Sequence, residues 1–257
     1  MRSAFDLDAL VIQHAEDNEL SKDGQVNDGI IATKLGLQGI PDYAEKIIIE
    51  RDLTLLEDFN CRYHIAQISS EKSVEIIKNR KEIVKFTTGV SINNLSLNQN
   101  DIGDFRTFLK LSPPLRTEED RLSLIKGINQ NLIDVIVSDH KPEDEESKRL
   151  TFSQAATGAS GIETLLPLAL ELFHNGSIKL NKLIECLTSN PAKILKINKG
   201  SLSVGSDADL CIVDIYKPWV VKKEKMISKS KNTCIEDKKL QGKVLNTFIN
   251  GVELFKC

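Results

Sequence analysis

The sequence predicts an α/β fold built on a parallel sheet, and three observations support this prediction. Short apolar runs alternate with helical patterns over roughly the first 140 residues, as in consecutive βαβ units. Four such strand–helix units are visible, and polar residues follow the predicted strands directly. A doubly wound sheet and a (β/α) barrel both fit this order, and both place functional groups at the carboxyl ends of their strands.

The elements of the first part follow from local patterns. The predicted strands cover residues 9–13, 62–69, 84–91 and 133–137, and the predicted helices cover residues 41–58, 71–81 and 117–129. Pro41 suits the first turn of a helix, and the stretch from 84 to 91 is rich in Val, Phe and Thr, which favour strands. Three acidic residues follow Thr117, where negative charge stabilises the start of a helix.

The pattern changes towards the carboxyl terminus. Three further helices are predicted at residues 163–175, 180–188 and 191–195. After about residue 198, turns surround a buried strand at 210–214 and a hairpin at 243–255, with Asn250-Gly251 at its tip. We therefore expect an α/β body at residues 1–198 and a small β unit at 199–257. The Lys-rich stretch from 222 to 239 is expected to be a solvated loop.

Composition excludes several classes of function. The net charge is −3 with both signs interspersed, which disfavours a nucleic-acid or anionic-membrane surface. No apolar run approaches the about 18 residues that span a bilayer, and no GxGxxG or P-loop motif follows a strand. The five cysteines are widely and irregularly spaced, which indicates free thiols in a reducing cytoplasm and neither a zinc ribbon nor a disulfide framework.

Two candidate functional residues follow predicted strands directly. His14 has carboxylates close behind it, and Asp139 ends a buried apolar strand. A carboxylate in that position is costly unless it is hydrogen-bonded, paired or bound to a metal. Capping roles explain both residues as well, and two ligands alone do not make a metal site. Strand alternation places His64 and Gln67 on opposite faces, which favours a structural role for His64.

A series of motifs in a fixed order resembles the dihydroorotases of the cyclic amidohydrolase group. The motifs are QHAED at 13–17, GLQGIP at 36–41, RYH at 62–64, LSPPLR at 111–116, IDVIVSDH at 133–140, GIETLLP at 161–167, SNPA at 189–192 and GSDADL at 205–210. Each motif is only moderately specific, and their shared order carries the resemblance. It spans essentially the whole chain.

The resemblance implies the C-terminal half of a (β/α)8 TIM-type barrel, strands 5 to 8, with a small appended β unit. It also implies one or two Zn²⁺ ions and the reversible hydrolysis of dihydroorotate to N-carbamoyl-aspartate in de novo pyrimidine biosynthesis. The family's His-x-His motif and its metal-bridging residue have no counterpart here. We therefore expect a fragment, one part of a split gene, or a start assigned too late.

The resemblance also implies roles for individual residues. His14 and Asp139 correspond to metal ligands, and Asp139 also corresponds to the general base. Asn93, Ser112 and Glu143 correspond to substrate-binding positions. Ser112 stands where the family has Asn, and Glu143 stands where it has His and would repel the carboxylate of dihydroorotate.

Another departure lies at Gln67, which replaces a metal-binding His of the family. An amide oxygen is a poorer zinc ligand than an imidazole. In this departure the chain resembles a subgroup of dihydroorotase-like proteins that have lost metal ligands. Members of that subgroup act as structural partners of aspartate carbamoyltransferase.

The leading functional hypothesis is that the protein is a dihydroorotase, and we expect this chain to be inactive by itself. The alternative is a non-catalytic dihydroorotase-like subunit that scaffolds aspartate carbamoyltransferase, and a hydantoinase or allantoinase fits the motifs less well. We expect a cytoplasmic protein that forms a homo-oligomer or needs an N-terminal half, with no nucleic-acid or membrane partner.

Overall fold

A computed structural model describes all 257 residues. The strands are β1 Leu10–Gln13, β2 Val26–Asn27, β3 Gly39–Ile40, β4 Arg62–Ile68, β5 Thr87–Ser91, β6 Val135–Val137, β7 Leu210–Val220, β8 Lys239–Ile249 and β9 Val252–Lys256. The α-helices are α1 Arg2–Asp6, α2 Ile30–Leu35, α3 Tyr43–Phe59, α4 Glu71–Arg80, α5 Ile92–Ser96, α6 Glu118–Asn129, α7 Glu145–Arg149, α8 Leu165–His174, α9 Leu180–Leu187 and α10 Ser189–Leu195. Short 3₁₀ helices lie at Gln99–Ile102, Thr107–Leu109 and Lys223–Lys225. None of the helices has the length and apolar character needed to cross a membrane.

The main sheet contains four parallel strands in the order β1-β4-β5-β6. This confirms the predicted α/β class and the four strand positions, although β5 and β6 are shorter than predicted. β1 pairs only with β4, and β6 pairs only with β5. The sheet is therefore open at both edges and does not close into a barrel.

The two faces of the main sheet differ in their surroundings. On the face covered by helices, Ile65 and Val90 are completely buried in the hydrophobic core with side chains of α3, α4 and α6. On the other face, Ile12 of β1 is 55% exposed. This open face carries the cavity described below.

The second sheet is antiparallel and has the order β7-β8-β9. The predicted hairpin is confirmed, with Asn250 and Gly251 both at positive φ (50° and 76°) between β8 and β9. Asn-Gly is the pair that favours this backbone conformation in a two-residue hairpin turn. β7 extends to Val220, six residues beyond the predicted strand.

The Lys-rich segment 222–239 departs from the prediction of a solvated loop. Its lysines 222, 223 and 225 are exposed, but Asn232 and Cys234 are buried. The backbone N–H of Ser160 donates to the carbonyl of Asn232 (3.0 Å), and the Asn232 amide donates to the carbonyl of Gly158 (3.2 Å). The composition of the segment gives no sign of this contact, because Gly158 lies 74 residues from Asn232 along the chain.

Candidate active site

Three adjacent strands converge on one carboxylate. Asp139 lies two residues after β6 and has a positive φ of 49°. Its Oδ1 accepts a hydrogen bond from the Gln67 amide at the end of β4 (2.8 Å), and its Oδ2 accepts one from the Ser91 hydroxyl at the end of β5 (3.1 Å). The carboxylate is thus hydrogen-bonded by two neutral donors, which offsets part of its desolvation.

Gln67 and His64 line the same cavity, so the prediction that they face opposite sides is wrong. The pairing of β4 with β5 shifts register between Ile65 and Ile68, and such an irregularity rotates the following side chains relative to strict alternation. The cavity has a volume of about 370 Å³. Its lining residues are Ile12, His64, Ala66, Gln67, Val135, Val137, Asp139, Pro191, Ile194 and Leu195.

His64 is held within this cavity as a buried side chain. Its Nδ1 lies 2.8 Å from the hydroxyl of Thr87 on the neighbouring strand. Burial lowers the pKa of His64 below its usual value, which favours the neutral imidazole. The contact agrees with the structural role expected from the sequence.

A second hydrogen-bonded group contains His14, Glu16 and Ser112. His14 follows β1, and its Nε2 lies 3.1 Å from Glu16 Oε2 and 3.2 Å from Ser112 Oγ. The Ser112 hydroxyl donates to the same Glu16 oxygen (3.2 Å). The hydrogen bond with Glu16 raises the pKa of His14 and lowers the pKa of Glu16 to about 2. Asp139 also contributes to raising the pKa of His14 through its charge.

These two groups do not fit a zinc ion by themselves. A protein zinc site normally has at least three protein ligands, deprotonated or neutral. No group of three or more His, Cys, Asp or Glu side chains is arranged to hold a metal. Both oxygens of Asp139 accept from neutral donors, and the Nε2 of His14 faces Glu16. The residues of this chain therefore provide at most two of the expected ligands.

The three expected substrate-binding residues occupy different places. Ser112 contacts His14, as described above. Asn93 on α5 is buried, its backbone N–H donates to Ser91 Oγ (3.2 Å), and its side-chain Nδ2 has no hydrogen-bond partner. Glu143 lines a separate cavity of about 800 Å³, of which neither His14 nor Asp139 is a lining residue. The structure therefore does not bring Glu143 into either group.

Several residues of the site could not be identified from the sequence. Ser91 had one available signal, because it ends a predicted strand just before Asn93. His140 is engaged elsewhere, since its Nδ1 accepts from the backbone N–H groups of Gly161 (3.2 Å) and Ile162 (3.3 Å). No sequence pattern pointed to Asn232. Its side-chain oxygen accepts from the backbone N–H of Glu143 (3.4 Å) and so connects the loop after Asp139 to the segment around residue 232.

Comparison with known proteins places these features in a family. Residues 1–254 match the Amidohydrolase family. The chain is 44% identical over 253 residues to a dihydroorotase of Ehrlichia chaffeensis (98% of this chain, 57% of that protein). It is 41% identical over 263 residues to a dihydroorotase of Anaplasma phagocytophilum (100% and 59%). The chain thus spans less than two thirds of these relatives.

Solved structures give the same fold. An L-hydantoinase (dihydropyrimidinase) from Arthrobacter aurescens superimposes with a TM-score of 0.88 at 26% identity, covering 99% of this chain and 59% of that one. A dihydropyrimidinase from Brevibacillus agri superimposes with a TM-score of 0.85 at 22% identity (98% and 57%). From the sequence match over nearly its whole length and from these superpositions, the chain belongs to the amidohydrolase family.

Proposed function

We propose that this chain forms the C-terminal half of a dihydroorotase barrel, strands 5 to 8, with residues 199–257 as its small β unit. Its reaction is the reversible hydrolysis of dihydroorotate to N-carbamoyl-aspartate in de novo pyrimidine biosynthesis. The observation that carries the proposal is the convergence of Gln67, Ser91 and Asp139 at the carboxyl ends of three parallel strands. Relatives named dihydroorotase at 41–44% identity support the choice of substrate.

Asp139 is the proposed general base. A carboxylate at this edge takes a proton from the attacking water and returns it to the leaving ring nitrogen as the ring C–N bond breaks, so that the carboxylate is regenerated. The hydrogen bonds from Gln67 and Ser91 fix the orientation of the carboxylate. Asn93 and Ser112 are the proposed substrate contacts, and the unpartnered amide of Asn93 supports its assignment. Glu143 is left out of the proposed contacts, because it lines a separate cavity.

His14 and Asp139 are the two proposed metal ligands of this chain. Since they do not form a zinc site alone, further ligands have to come from another chain or from a segment outside residues 1–257. The proposal also requires association, either as a homo-oligomer or with an N-terminal half, and we assign the protein to the cytoplasm. The open edges at β1 and β6 support a requirement for association.

A chimera tests this function. It joins this chain to the part of the Ehrlichia chaffeensis dihydroorotase that the chain does not match. We expect the zinc-loaded chimera to convert dihydroorotate to N-carbamoyl-aspartate, measured by chromatography, while the isolated chain does not. Asp139→Asn is expected to abolish turnover in the chimera. Hydantoin and dihydrouracil serve as competing substrates, and preferential turnover of either would contradict the assignment to dihydroorotate.

A non-catalytic subunit is the second candidate, and the Gln67–Asp139 hydrogen bond favours it. An amide donor at that place satisfies the carboxylate without a metal. A folded chimera that fails to turn over dihydroorotate, together with binding of purified aspartate carbamoyltransferase by the isolated chain, would support the scaffold and overturn the enzyme. Activity of the isolated chain with zinc would contradict the scaffold, and it would also contradict the requirement for further ligands in the enzyme.

A further inference from the structure

A buried carboxylate contacts the chain segment that follows Gln67 of the candidate active site. Glu45 on α3 is 3% exposed. Its oxygens accept from the backbone N–H of Ser69 (3.0 and 3.1 Å), from the Ser69 hydroxyl, and from the Ser73 hydroxyl (2.5 Å). No lysine or arginine lies within 4.0 Å of it. A buried carboxylate without a nearby cation is unusual, because charge burial is costly.

A buried guanidinium lies on the other side of the same serine. Arg116 belongs to the loop between Leu109 and Glu118 and is 3% exposed. It donates from Nε to Ser69 Oγ (3.0 Å), and from Nη1 to Asn27 Oδ1 (2.8 Å) and to the carbonyl of Ile40 (2.8 Å). Like Glu45, it has no ion-pair partner within 4.0 Å. The two buried charges therefore meet through one hydroxyl, which accepts from Arg116 and donates to Glu45.

This bridge joins two segments of the candidate active site. Ser69 lies two residues after Gln67, and Arg116 lies four residues after Ser112. The backbone carbonyl of Arg116 accepts from the backbone N–H of Gln99 (2.7 Å). The side-chain oxygen of Gln99 accepts from the side-chain amide of Asn27 (2.9 Å). The network thus fixes the end of β4 relative to the loop that carries Ser112.

We propose that the Ser69 hydroxyl, by bridging the buried charges of Arg116 and Glu45, holds the Ser112 loop against the end of β4, with Arg116 as a positioning residue. Loss of the bridge leaves a cation and an anion buried without their shared partner. Such a loss weakens the local structure more than the loss of an ordinary hydrogen bond between neutral groups. The loop carrying Ser112 is then free to open while the helices around Glu45 stay folded.

Hydrogen exchange on the purified chain tests the bridge. We expect Ser69→Ala to accelerate hydrogen exchange at the backbone N–H of Gln99 by about tenfold or more, because that N–H donates to the backbone carbonyl of Arg116. Ser69→Thr keeps the hydroxyl and is expected to restore protection. Ser73→Ala is the matched control, since Ser73 also donates to Glu45 but does not contact Arg116. It is expected to leave the Gln99 amide protected.

The possible outcomes separate the bridge from general packing. Equal acceleration in Ser69→Ala and Ser73→Ala, or none in Ser69→Ala, would overturn the proposal. If Ser69→Ala does not fold, Arg116→Lys provides the second variant, because it keeps a cation, removes the Nε donor to Ser69 and leaves Glu45 untouched. Unchanged protection of the Gln99 backbone N–H in folded Arg116→Lys would contradict the bridge.

The positioning role itself rests on the proposed function and is measured in the chimera. There, Ser69→Ala is expected to lower kcat for dihydroorotate and Ser69→Thr to restore it, whereas Ser73→Ala leaves kcat unchanged. Equal kcat in all three variants would refute positioning. A chimera that is inactive in every form refutes the proposed function instead, and the exchange result still decides whether the bridge exists.

Discussion

At the scale of single residues, the candidate active site is organised by how each carboxylate is compensated. The Asp139 carboxylate accepts from an amide and a hydroxyl, whereas the Glu16 carboxylate contacts an imidazole and accepts from the Ser112 hydroxyl. Neither arrangement resembles a set of zinc ligands, which have to present lone pairs towards a common point. Gln67 determines part of this arrangement, because its amide donates to Oδ1 of Asp139.

Replacement of Gln67 by His changes the preference of this site for a metal. We expect Gln67→His to bind zinc at least about tenfold more tightly than the wild-type chain, because imidazole is a far better zinc ligand than an amide. Equilibrium dialysis followed by metal analysis measures the affinity. Adding Asp139→Asn to Gln67→His should remove the gain. An unchanged affinity in Gln67→His would contradict the expected convergence of ligands at Asp139.

Lys148 on α7 makes stability depend on pH. Its side chain is 2% exposed and donates to the carbonyl of Ala156 (2.7 Å), and burial lowers its pKa to about 8. Between about pH 8 and 10.5, the unfolded chain retains a proton that the folded chain has lost. Stability should therefore rise with pH across this window, by up to about 3 kcal/mol from this group.

Urea denaturation from pH 7 to pH 10 measures this dependence. Because other lysines and tyrosines titrate at the upper end of the range, the informative quantity is the difference between the wild type and Lys148→Met. We expect the methionine variant to lack most of the rise in unfolding free energy. If the unfolding free energies of the two proteins change with pH in parallel, Lys148 has an ordinary pKa in the folded chain, which would contradict the prediction.

At the scale of secondary structure, prediction succeeded where local chemistry determines an element. The strand predicted at 62–69 is β4, and the helix predicted at 117–129 is α6, which begins one residue later. The hairpin turn at Asn250-Gly251 is local as well. In contrast, the two-residue strands β2 and β3 depend on pairing with each other and have no periodic signal of their own.

The same distinction explains how much of the site could be predicted. The sequence singles out His14, Gln67 and Asp139 because they follow or end apolar strands. The orientation of Gln67 was missed because a register shift in β4 arises from its pairing with β5. The contact of Ser112 with His14 joins positions 98 residues apart, and sequence spacing carries no information about such a contact.

The capping box of α6 supports a further prediction. The Thr117 hydroxyl accepts from the Asp120 N–H (3.2 Å), and Asp120 accepts from the Thr117 N–H (3.1 Å). Asp120 also accepts from the N–H of Glu71 at the start of α4 (2.8 Å). We expect Thr117→Ala to cost about 1 kcal/mol and Asp120→Ala to cost more, because the second change removes caps from two helices. Equal losses in urea denaturation would contradict a shared cap.

At the scale of the whole molecule, the open sheet distinguishes this chain from a self-contained barrel. Both edge strands of the main sheet, β1 and β6, have unpaired backbone groups on their outer sides. Proteins usually protect such edges, since unpaired strands readily join other chains. The open face adds apolar area around Ile12, so that edge and face together favour association.

We therefore expect the isolated chain to associate in a concentration-dependent manner, which sedimentation velocity measures directly. Ile12→Lys places a charge on the open face and should shift the chain towards monomer, because burial of that charge in an interface is costly. Ile47→Lys is the matched control: Ile47 is 44% exposed but lies on α3 and not on a strand of the main sheet. A compact monomer at all concentrations, or equal effects of both substitutions, would mean that association does not use the open face of the sheet. A selective effect at Ile12 would identify this face as the surface through which the chain associates.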